Sequence, residues 1–307
     1  MTDILLSAYN GEVFLPELLR SLESQSCPDF RVIARSDGST DGTLELLSRQ
    51  SERDSRFLTV AGERSGSPSG GFFAALALSD GDYAMFCDQD DVWHPDKLEK
   101  TLRVMKTAEE HLGKDTPLLV HTDLRVVDAE LRTLSSSMMR SQQLCPERSG
   151  LPRLLCQSLV TGCTVMINAP LRELVLSALP EDCLMYDWWL SLAAAAFGRI
   201  LYLNEATIDY RQHGGNAVGA KNVKSPAYLR QRLENTDALR RSLLSTCDQA
   251  AAFAACFGER MDGEKRRLVE EYAALPKLGK AERLRTLQRL GTVKCGTLRR
   301  IGQFLFI

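Results

Sequence analysis

Along the first third of the chain, short continuous apolar runs alternate with segments in which apolar residues recur every three or four positions, as in a helix. Leu15, Leu18, Leu19 and Leu22 fall on one helical face, which predicts an amphipathic helix with Pro16 in its first turn. Each apolar run ends near Gly, Asn or Asp, which predicts a turn. The runs that predict strands are DILLSAY (3–9), FRVIARSD (30–37), RFLTVAG (56–62) and DYAMFCD (82–88).

Three further segments in this region predict helices. One opens near Leu44, with Thr40 or Asp41 as its N-cap. The other two are GGFFAALALS (70–79) and HPDKLEKTLRVMKTAEEHL (94–112). Because strands and helices alternate, the sequence predicts an α/β fold with a mostly parallel, Rossmann-like sheet flanked by helices.

The second half of the chain is less regular. After Lys224 the pattern predicts helices nearly to the end, interrupted around Pro276 and Gly291. We therefore predict an α/β domain over residues 1–222 and a helical extension over 223–307. Before the boundary, the predicted elements are strands at 117–128 and 160–169, an apolar helix at 186–198, and one or two strands with a glycine-rich loop at 199–219.

Composition narrows the class of protein. Hydrophobic content of 44% and charged content of 25% are typical of a soluble globular protein, and a net charge of −2 argues against a nucleic-acid partner. Nine scattered cysteines without a CxxC pair indicate reduced thiols in a cytoplasmic protein. No apolar stretch reaches the length of about 18 residues that a spanning helix needs.

Charge is unevenly distributed. Residues 276–307 contain eight Lys or Arg and one acid, Glu282, which gives a net charge of +7. Leucine, isoleucine and phenylalanine are interleaved with these cations. The segment is suited to peripheral contact with an anionic membrane at the inner face of the cell membrane. A solvated basic helix face is the alternative.

Polar clusters follow three of the predicted parallel strands, at residues 7–10, 37–39 and 88–91. Ligands bind beyond the carboxyl ends of the strands in such sheets, so we expect these clusters to converge on one edge. Asp88, Asp90 and Asp91 suit Mg²⁺ or Mn²⁺, which prefer carboxylate oxygens. Alternatively, Asp90 or Asp91 caps the helix that begins near Pro95.

Three other side chains are candidates for chemistry. Asp37 could accept a hydrogen bond from a ribose hydroxyl or a base N–H, or be a turn residue; Asp41 we assign to a turn or cap. His213 precedes glycines that let backbone approach a phosphate, although a surface loop is the alternative. Asp187 lies beside two tryptophans, where an apolar surface raises a carboxyl pKa and suits a general base; an N-cap is the alternative.

In order along the chain, seven motifs resemble those of family 2 glycosyltransferases with the GT-A fold, in particular bacterial rhamnosyltransferase-like enzymes. The resemblance covers roughly residues 3 to 220. The motifs are SAYNG, SDGSTDGT, DGDYAMFCDQDDVWHPDKL, VHTDLRVVD, TGCTVMIN, YDWWL and YRQHGGNAVG.

The resemblance implies inverting, metal-dependent transfer of a sugar, for example rhamnose, from a dTDP- or UDP-linked donor. The implied acceptor is a saccharide or lipid-linked saccharide in cell-surface polysaccharide synthesis, and the implied cofactor is Mg²⁺ or Mn²⁺. The sequence shows no dedicated second acid that would act as the nucleophile of a double displacement, which favours inversion.

Roles carried over from the family fall on matching positions. The resemblance makes Asp187 the base that deprotonates the acceptor hydroxyl. It places the metal at Asp90 and His213, with Asp91 as a further candidate. The implied nucleotide-sugar-binding residues are Ser7, Ala8, Tyr9, Asp37, Asp88 and Gln89. The implied acceptor-side residues are Gly162, Cys163, Thr164, Trp188 and Trp189.

The chain departs from the family pattern at two places. Ser36 stands where the family often has a second acid, and the usual Asn is missing from SPSGGFFAAL (67–76). A nucleotidyltransferase would use the same sheet edge, but SAYNGEVF (7–14) lacks the Lys or Arg of its phosphate loop. A degenerate transferase domain that acts as a binding module is the third hypothesis.

Overall fold

A computed structural model describes residues 1–214 and 235–307. The predicted boundary at 222/223 lies outside the described residues and stays a prediction. The strands are β1 (Thr2–Ala8), β2 (Phe30–Asp37), β3 (Phe57–Gly62), β4 (Tyr83–Asp88), β5 (Val92–Trp93), β6 (Leu118–Val127), β7 (Thr133–Ser135), β8 (Val165–Asn168) and β9 (Arg199–Arg211).

Helices flank this sheet and form the C-terminal part of the chain. Those before residue 200 are α1 (Leu15–Glu23), α2 (Thr43–Arg53), α3 (Pro68–Leu76), α4 (Lys97–Leu112), α5 (Met138–Ser141), α6 (Leu151–Cys156), α7 (Ala169–Leu176) and α8 (Tyr186–Phe197). Those after residue 234 are α9 (Thr236–Phe257), α10 (Gly263–Ala273), α11 (Lys280–Leu290) and α12 (Thr297–Phe306).

The strands form one sheet in the order β3-β2-β1-β4-β8-β6-β9-β5, with β7 paired to β6. The pairs among β3, β2, β1 and β4 are parallel, as are β6 and β9. β8 runs antiparallel to both β4 and β6. The predicted mixed, mostly parallel sheet is confirmed, and β1, β2 and β4 all end at the same edge.

Burial on both faces explains why the strands are continuously apolar rather than alternating. Along β1, Ile4 and Leu6 pack into one core, and Leu5 packs into the other on the opposite face. The apolar stripe of α1, including Leu15 and Leu18, joins the same core as Ile4. The helical spacing of these leucines therefore places α1 against the sheet.

The predicted N-cap of α2, Thr40 or Asp41, is wrong, because Gly42 is the N-cap and no side chain caps it. Asp41 is a turn residue before the helix. The Asp41 carboxylate accepts hydrogen bonds from the N–H groups of Thr43 at 3.1 Å and Glu12 at 3.2 Å. α3 begins at Pro68, before the apolar run, because the Ser67 hydroxyl accepts from the Gly70 N–H at 3.2 Å. A side-chain cap sets the start of α3, whereas α2 begins after a turn that Asp41 stabilises.

The C-terminal helices share a core with the α/β region. Phe253 and Phe257 of α9 lie with their ring centroids 5.3 Å and 6.1 Å from that of Trp189 in α8. Among the described residues, no helix is both long enough and apolar enough to cross a membrane.

His121 in β6 is a buried polar side chain whose surroundings do not replace the hydrogen bonds that it makes with water when the chain is unfolded. It is 0% exposed, and neither ring nitrogen has a hydrogen-bond partner among the described residues. Burial lowers the pKa of His121 to about 3. Its ring packs 5.0 Å from that of Tyr202, so the neighbourhood is suited to an apolar side chain.

We expect His121→Leu to stabilise the protein by about 1–2 kcal/mol at neutral pH, because it removes an unsatisfied polar group. The unfolded chain takes up a proton on histidine near about pH 6.5, whereas folded His121 does so only near pH 3, so wild-type stability falls as pH drops through this window. The difference between variant and wild type should therefore grow by about 2 kcal/mol near pH 5. Urea denaturation at both pH values measures it, with exposed His111→Gln as control; an unchanged difference contradicts the prediction.

Candidate active site

The turns after β1 and β4 are locked together. Ser7 is the register partner of Asp88 across the β1–β4 pair. Beyond the strands, the Gln89 amide accepts from the Tyr9 N–H at 2.6 Å and donates to the Tyr9 carbonyl at 2.9 Å. A Cβ on Gly11 would lie 2.6 Å from the Gln89 amide oxygen, so a side chain there would displace the Gln89 amide. The structure thus places Gln89 as a brace for Tyr9.

Asp37 ends β2 at the same edge and is held by its neighbours. It forms an ion pair with Arg35 and accepts from the Ser65 hydroxyl at 2.8 Å and the Ser65 N–H at 3.1 Å. Burial raises the pKa of Asp37, but the bonds from Arg35 and Ser65 outweigh it, so the net pKa is lowered. Asp37 is an ionised carboxylate with its position fixed.

The two departures from the family pattern have a local structural context. The Ser36 hydroxyl donates to the Ser39 hydroxyl at 3.1 Å, which in turn donates to the Ala8 carbonyl at 3.4 Å. A Cβ on Gly71 would lie 2.4 Å from the Ser7 hydroxyl oxygen. The backbone of α3 therefore approaches β1 directly at Gly71, where no side chain fits.

Asp90 and His213, 123 residues apart, lie side by side. The His213 Nε2 is 2.8 Å from a carboxylate oxygen of Asp90. The His213 ring packs 4.5 Å from that of Phe14. Arg211, at the end of β9, donates from its side-chain Nε to the Asp90 carbonyl at 2.9 Å. The hydrogen bond from Arg211 holds the end of β9 against the turn at residues 88–91. The Asp90 carboxylate and the His213 imidazole are therefore adjacent.

Capping is not the role of Asp91. Its side chain is 0% exposed, and one carboxylate oxygen accepts from the Arg211 N–H at 3.2 Å. The other oxygen is buried without a hydrogen-bond partner among the described residues. α4 begins at Lys97 with Asp96 at its N-cap, so the capping interpretation of Asp91, and equally of Asp90, is wrong. Asp91 lies under the turn rather than beside the helix.

The three acids repel one another in a poorly solvated place. Burial raises the pKa of Asp88 to about 7, with repulsion from Asp90 and Asp187 adding to it and Lys97 opposing it. Burial also raises the pKa of Asp91 well above its usual range, with repulsion from Asp90 and Asp88 adding to it. A divalent cation would relieve this repulsion, so the charge distribution fits Mg²⁺ or Mn²⁺.

Two sets of ligand atoms are available for such a cation. Asp90 and His213 form one set, and Asp88, Asp91 and the Cys163 sulfur, all within 4.8 Å of one another, form the other. Burial raises the pKa of the Cys163 thiol well above its usual range, and a neutral thiol is a poor ligand for a hard cation. The Lys97 ammonium also lies near this second set. Asp90 and His213 fit a metal better.

Asp187 lies in the first turn of α8, near enough to Asp88 for the two carboxyl groups to repel each other. Its carboxylate accepts from the Gly162 N–H at 2.9 Å and from the Trp188 N–H at 2.6 Å. Burial raises the pKa of Asp187 to about 6, and the two N–H groups oppose the rise. Met185 is the N-cap of α8, so the N-cap alternative for Asp187 is wrong. A carboxylate with this pKa can accept a proton near neutral pH.

The turn at Gly162–Thr164 is built to hold Asp187. A Cβ on Gly162 would lie 1.8 Å from the Tyr186 hydroxyl oxygen, so only glycine fits. The Thr164 hydroxyl donates back to the Thr161 carbonyl at 2.7 Å. Cys163 is fully buried and its sulfur lies toward Asp88 and Asp91. The turn therefore supplies the Gly162 N–H to Asp187 and the Cys163 sulfur to the neighbourhood of Asp88 and Asp91.

Trp189 was assigned to the acceptor side, and the structure corrects this. It is 0% exposed and packs against α9, because the helical period turns it away from Asp187 into the core. Trp188 is half-buried, and its indole N–H donates to the Leu154 carbonyl at 2.5 Å. These tryptophans anchor α8 against α6 and α9.

Sequence reasoning missed Arg211 and Lys97. Arg211 is 2% exposed and contacts Asp90 and Asp91, although in the RQH motif the sequence singles out only the histidine. Lys97 is 0% exposed, and it shares a helical face with the buried Thr101 and Met105. A lysine at an apolar-face position was the available signal.

Residues 3–112 match a protein-family model described as glycosyl transferase family 2. An uncharacterized glycosyltransferase of Nostoc sp. is 25% identical over 219 residues, which make up 69% of this chain and 65% of that protein. The dTDP-rhamnosyl transferase RfbG of Shigella flexneri is 22% identical over 227 residues, 70% of this chain and 74% of its own. The chain spans slightly less than two thirds of the length of the Nostoc relative.

Two solved structures resemble this fold. S. aureus TarS 1–349 in complex with UDP-GlcNAc has a TM-score of 0.57 at 16% identity, covering 99% of this chain and 88% of that one. Mannosyltransferase PcManGT from Pyrobaculum calidifontis, in complex with GDP-Man and Mn²⁺, has a TM-score of 0.51 at 16% identity, covering 94% and 84%. At this identity the likeness shows a shared fold.

Proposed function

We propose that this chain is a family 2 glycosyltransferase with the GT-A fold, and that it transfers a sugar from a nucleotide-sugar to an acceptor hydroxyl with inversion; the support is the family match over residues 3–112, the similarity to a dTDP-rhamnosyl transferase and the shared fold. One observation carries the proposal. The buried Asp187 carboxylate, held by the Gly162 N–H, lies near Asp88, which shares a turn with the Asp90 that pairs with His213.

Each side of the cleft has its own task in this reaction. Asp187 takes the proton from the acceptor hydroxyl, whose oxygen then attacks the anomeric carbon from the face opposite the leaving group. Ser7, Ala8 and Tyr9 at the end of β1, together with Asp37, line the place for the nucleoside. The Gly162–Thr164 turn borders the acceptor.

Asp90 and His213 would hold Mg²⁺ or Mn²⁺, with Asp88 nearer the ribose and diphosphate. When bound, the cation offsets the charge that develops on the leaving nucleoside diphosphate. PcManGT, which shares the fold, has been solved with GDP-Man and Mn²⁺, and this supports the assignment. Asp91 supports the turn from below instead of serving as a ligand.

We propose a dTDP- or UDP-linked donor, with dTDP-rhamnose first among them. The support is the similarity to a dTDP-rhamnosyl transferase and the fold shared with a protein solved with UDP-GlcNAc. We further propose a saccharide or lipid-linked saccharide acceptor in cell-surface polysaccharide synthesis, and a cytoplasmic location. Residues 1–222 are proposed as the transferase domain and 223–307 as its helical extension.

A panel of nucleotide-sugars tests the proposal. Thermal unfolding with each donor, with and without Mn²⁺, identifies the nucleotide-sugar that raises Tm most. That donor and an acceptor mixture should then yield nucleoside diphosphate. Pyrophosphate release from a sugar phosphate and a nucleoside triphosphate would instead support a nucleotidyltransferase. Binding without release would support a non-catalytic module.

We also propose that α12 contacts an anionic membrane. Leu298, Ile301 and Leu305 form one helical stripe and are each about half exposed, at 50%, 49% and 56%. Exposed Arg300 lies on the same helix, and the Lys280 ammonium donates to the Leu305 carbonyl at 2.9 Å. An apolar stripe beside cations suits the headgroup region of an anionic bilayer.

Replacing Leu298, Ile301 and Leu305 together by serine should reduce binding to phosphatidylglycerol vesicles by about tenfold or more. Each substitution removes apolar side-chain area that would otherwise be buried in the membrane. Flotation of the full chain measures this. Leu134→Ser removes an equally exposed leucine from β7 and serves as the control. Equal binding of wild type and the triple variant rejects the membrane proposal.

A further inference from the structure

Lys97 is a buried cation underneath the candidate site. It is the first residue of α4 and is 0% exposed. Its ammonium donates a hydrogen bond to the Cys163 carbonyl and lies 3.9 Å from the centroid of the Trp93 ring. A wholly buried ammonium is costly unless nearby negative charge compensates it.

The negative charge near Lys97 comes from the turn at residues 88–91. Asp91 and Asp88 are the carboxylates that interact electrostatically with the ammonium, alongside the thiols of Cys163 and Cys87. The Asp91 oxygen without a hydrogen-bond partner is part of this buried cluster. One buried ammonium therefore lies near two carboxyl groups that repel each other whenever both are ionised.

The same ammonium reaches the opposite side of the cleft. Cys163, whose carbonyl it binds, follows Gly162, whose N–H donates to Asp187 at 2.9 Å. Lys97 is thus separated by two consecutive residues of one turn from the carboxylate assigned as the base. A single side chain connects the donor-side acids to the support of Asp187.

We propose that Lys97 is a positioning residue. Its positive charge compensates Asp88 and Asp91 in the absence of any bound cation, and its hydrogen bond to Cys163 fixes the Gly162–Thr164 turn at the distance that Asp187 requires. The metal part of the test rests on the proposed function, whereas the charge compensation does not.

A double-mutant cycle in EDTA, without substrate, tests the compensation. Lys97→Met preserves most of the volume and should lower Tm on the order of 10 °C, because Asp91 and Asp88 lose their cation. Adding Asp91→Asn to Lys97→Met should recover at least half of that loss. Lys100→Met, on the same helix but partly exposed and paired with Asp96 and Glu205, is the matched control.

The outcomes show whether Lys97 compensates the charge of nearby carboxylates or only fills space in the core. Additive effects of Lys97→Met and Asp91→Asn overturn the proposal. If Lys97→Met alone fails to fold, a folded double variant supports the proposal, and a double variant that also fails overturns it.

A second measurement adds Mn²⁺ and UDP. The cation should raise the Tm of Lys97→Met by more than that of wild type, since it replaces the missing charge. An equal gain in both proteins overturns the compensation by Lys97. If wild type shows no gain at all, the proposed metal site fails while the cycle in EDTA still decides the role of Lys97.

Discussion

Asp187→Asn lowers kcat by about 10²–10⁴-fold at neutral pH, the range that a general base contributes. The amide cannot accept the acceptor proton, although it can keep one of the two backbone hydrogen bonds from Gly162 and Trp188. Donor binding should be unchanged, because the proposed role of Asp187 is toward the acceptor hydroxyl. Steady-state kinetics with the donor identified by the panel measure both constants.

The fold of this variant provides an internal control. Ionising Asp187 in its buried place, with a pKa of about 6, costs about 3 kcal/mol at neutral pH, and the neutral amide avoids this cost. One backbone N–H loses its acceptor, which offsets part of the gain. The asparagine variant should therefore unfold no more readily than wild type. Near-normal kcat in this folded variant would show that another group acts as the base.

The pH profile of the wild type follows from the same carboxyl. Asp187 must be ionised to accept a proton, so kcat/KM should fall as pH drops below about 6, where the carboxyl is protonated. The slower asparagine variant should lack this acid limb. An acid limb of equal size and position in both proteins would assign it to another group.

Asp90→Ala removes the metal-dependent binding of nucleoside diphosphate, weakening it by more than about 100-fold. The Asp90 carboxylate lies beside His213, and the two are the proposed ligands of the cation that would offset the charge of the leaving diphosphate. His213→Ala should weaken the same binding by about tenfold or more. Titration calorimetry of UDP or dTDP with and without Mn²⁺ measures each effect.

Asp115→Ala, at an exposed position after α4, is the matched control for lost charge. It should bind the nucleoside diphosphate as the wild type does. Unchanged, Mn²⁺-dependent binding in Asp90→Ala would move the metal to the other set of ligand atoms, at Asp88, Asp91 and Cys163. The two ligand sets are therefore distinguishable by experiment.

The sequence by itself determined the class of fold and the edge where the site lies. The apolar runs of β1, β2 and β4 are continuous because both faces of these strands are buried. Polar and acidic residues stand where the strands leave the core, and this marks the edge of the sheet where ligands bind. Local rules also predicted Asp41 as a turn residue, and its carboxylate accepts a hydrogen bond from the Thr43 N–H. Each of these features depends on neighbours within a few residues along the chain.

Only the tertiary structure decided the role of each acid. Whether Asp91 caps a helix or lies beneath the turn depends on Arg211, 120 residues away. The partner of Asp90 is His213, 123 residues away, and that of Asp187 is Gly162, 25 residues away. Both lie beyond the reach of a local sequence pattern. Trp189 faces α9 rather than the cleft for the same reason. A carboxylate's pKa and partners are set by what packs against it in space, and sequence spacing carries no record of those distances.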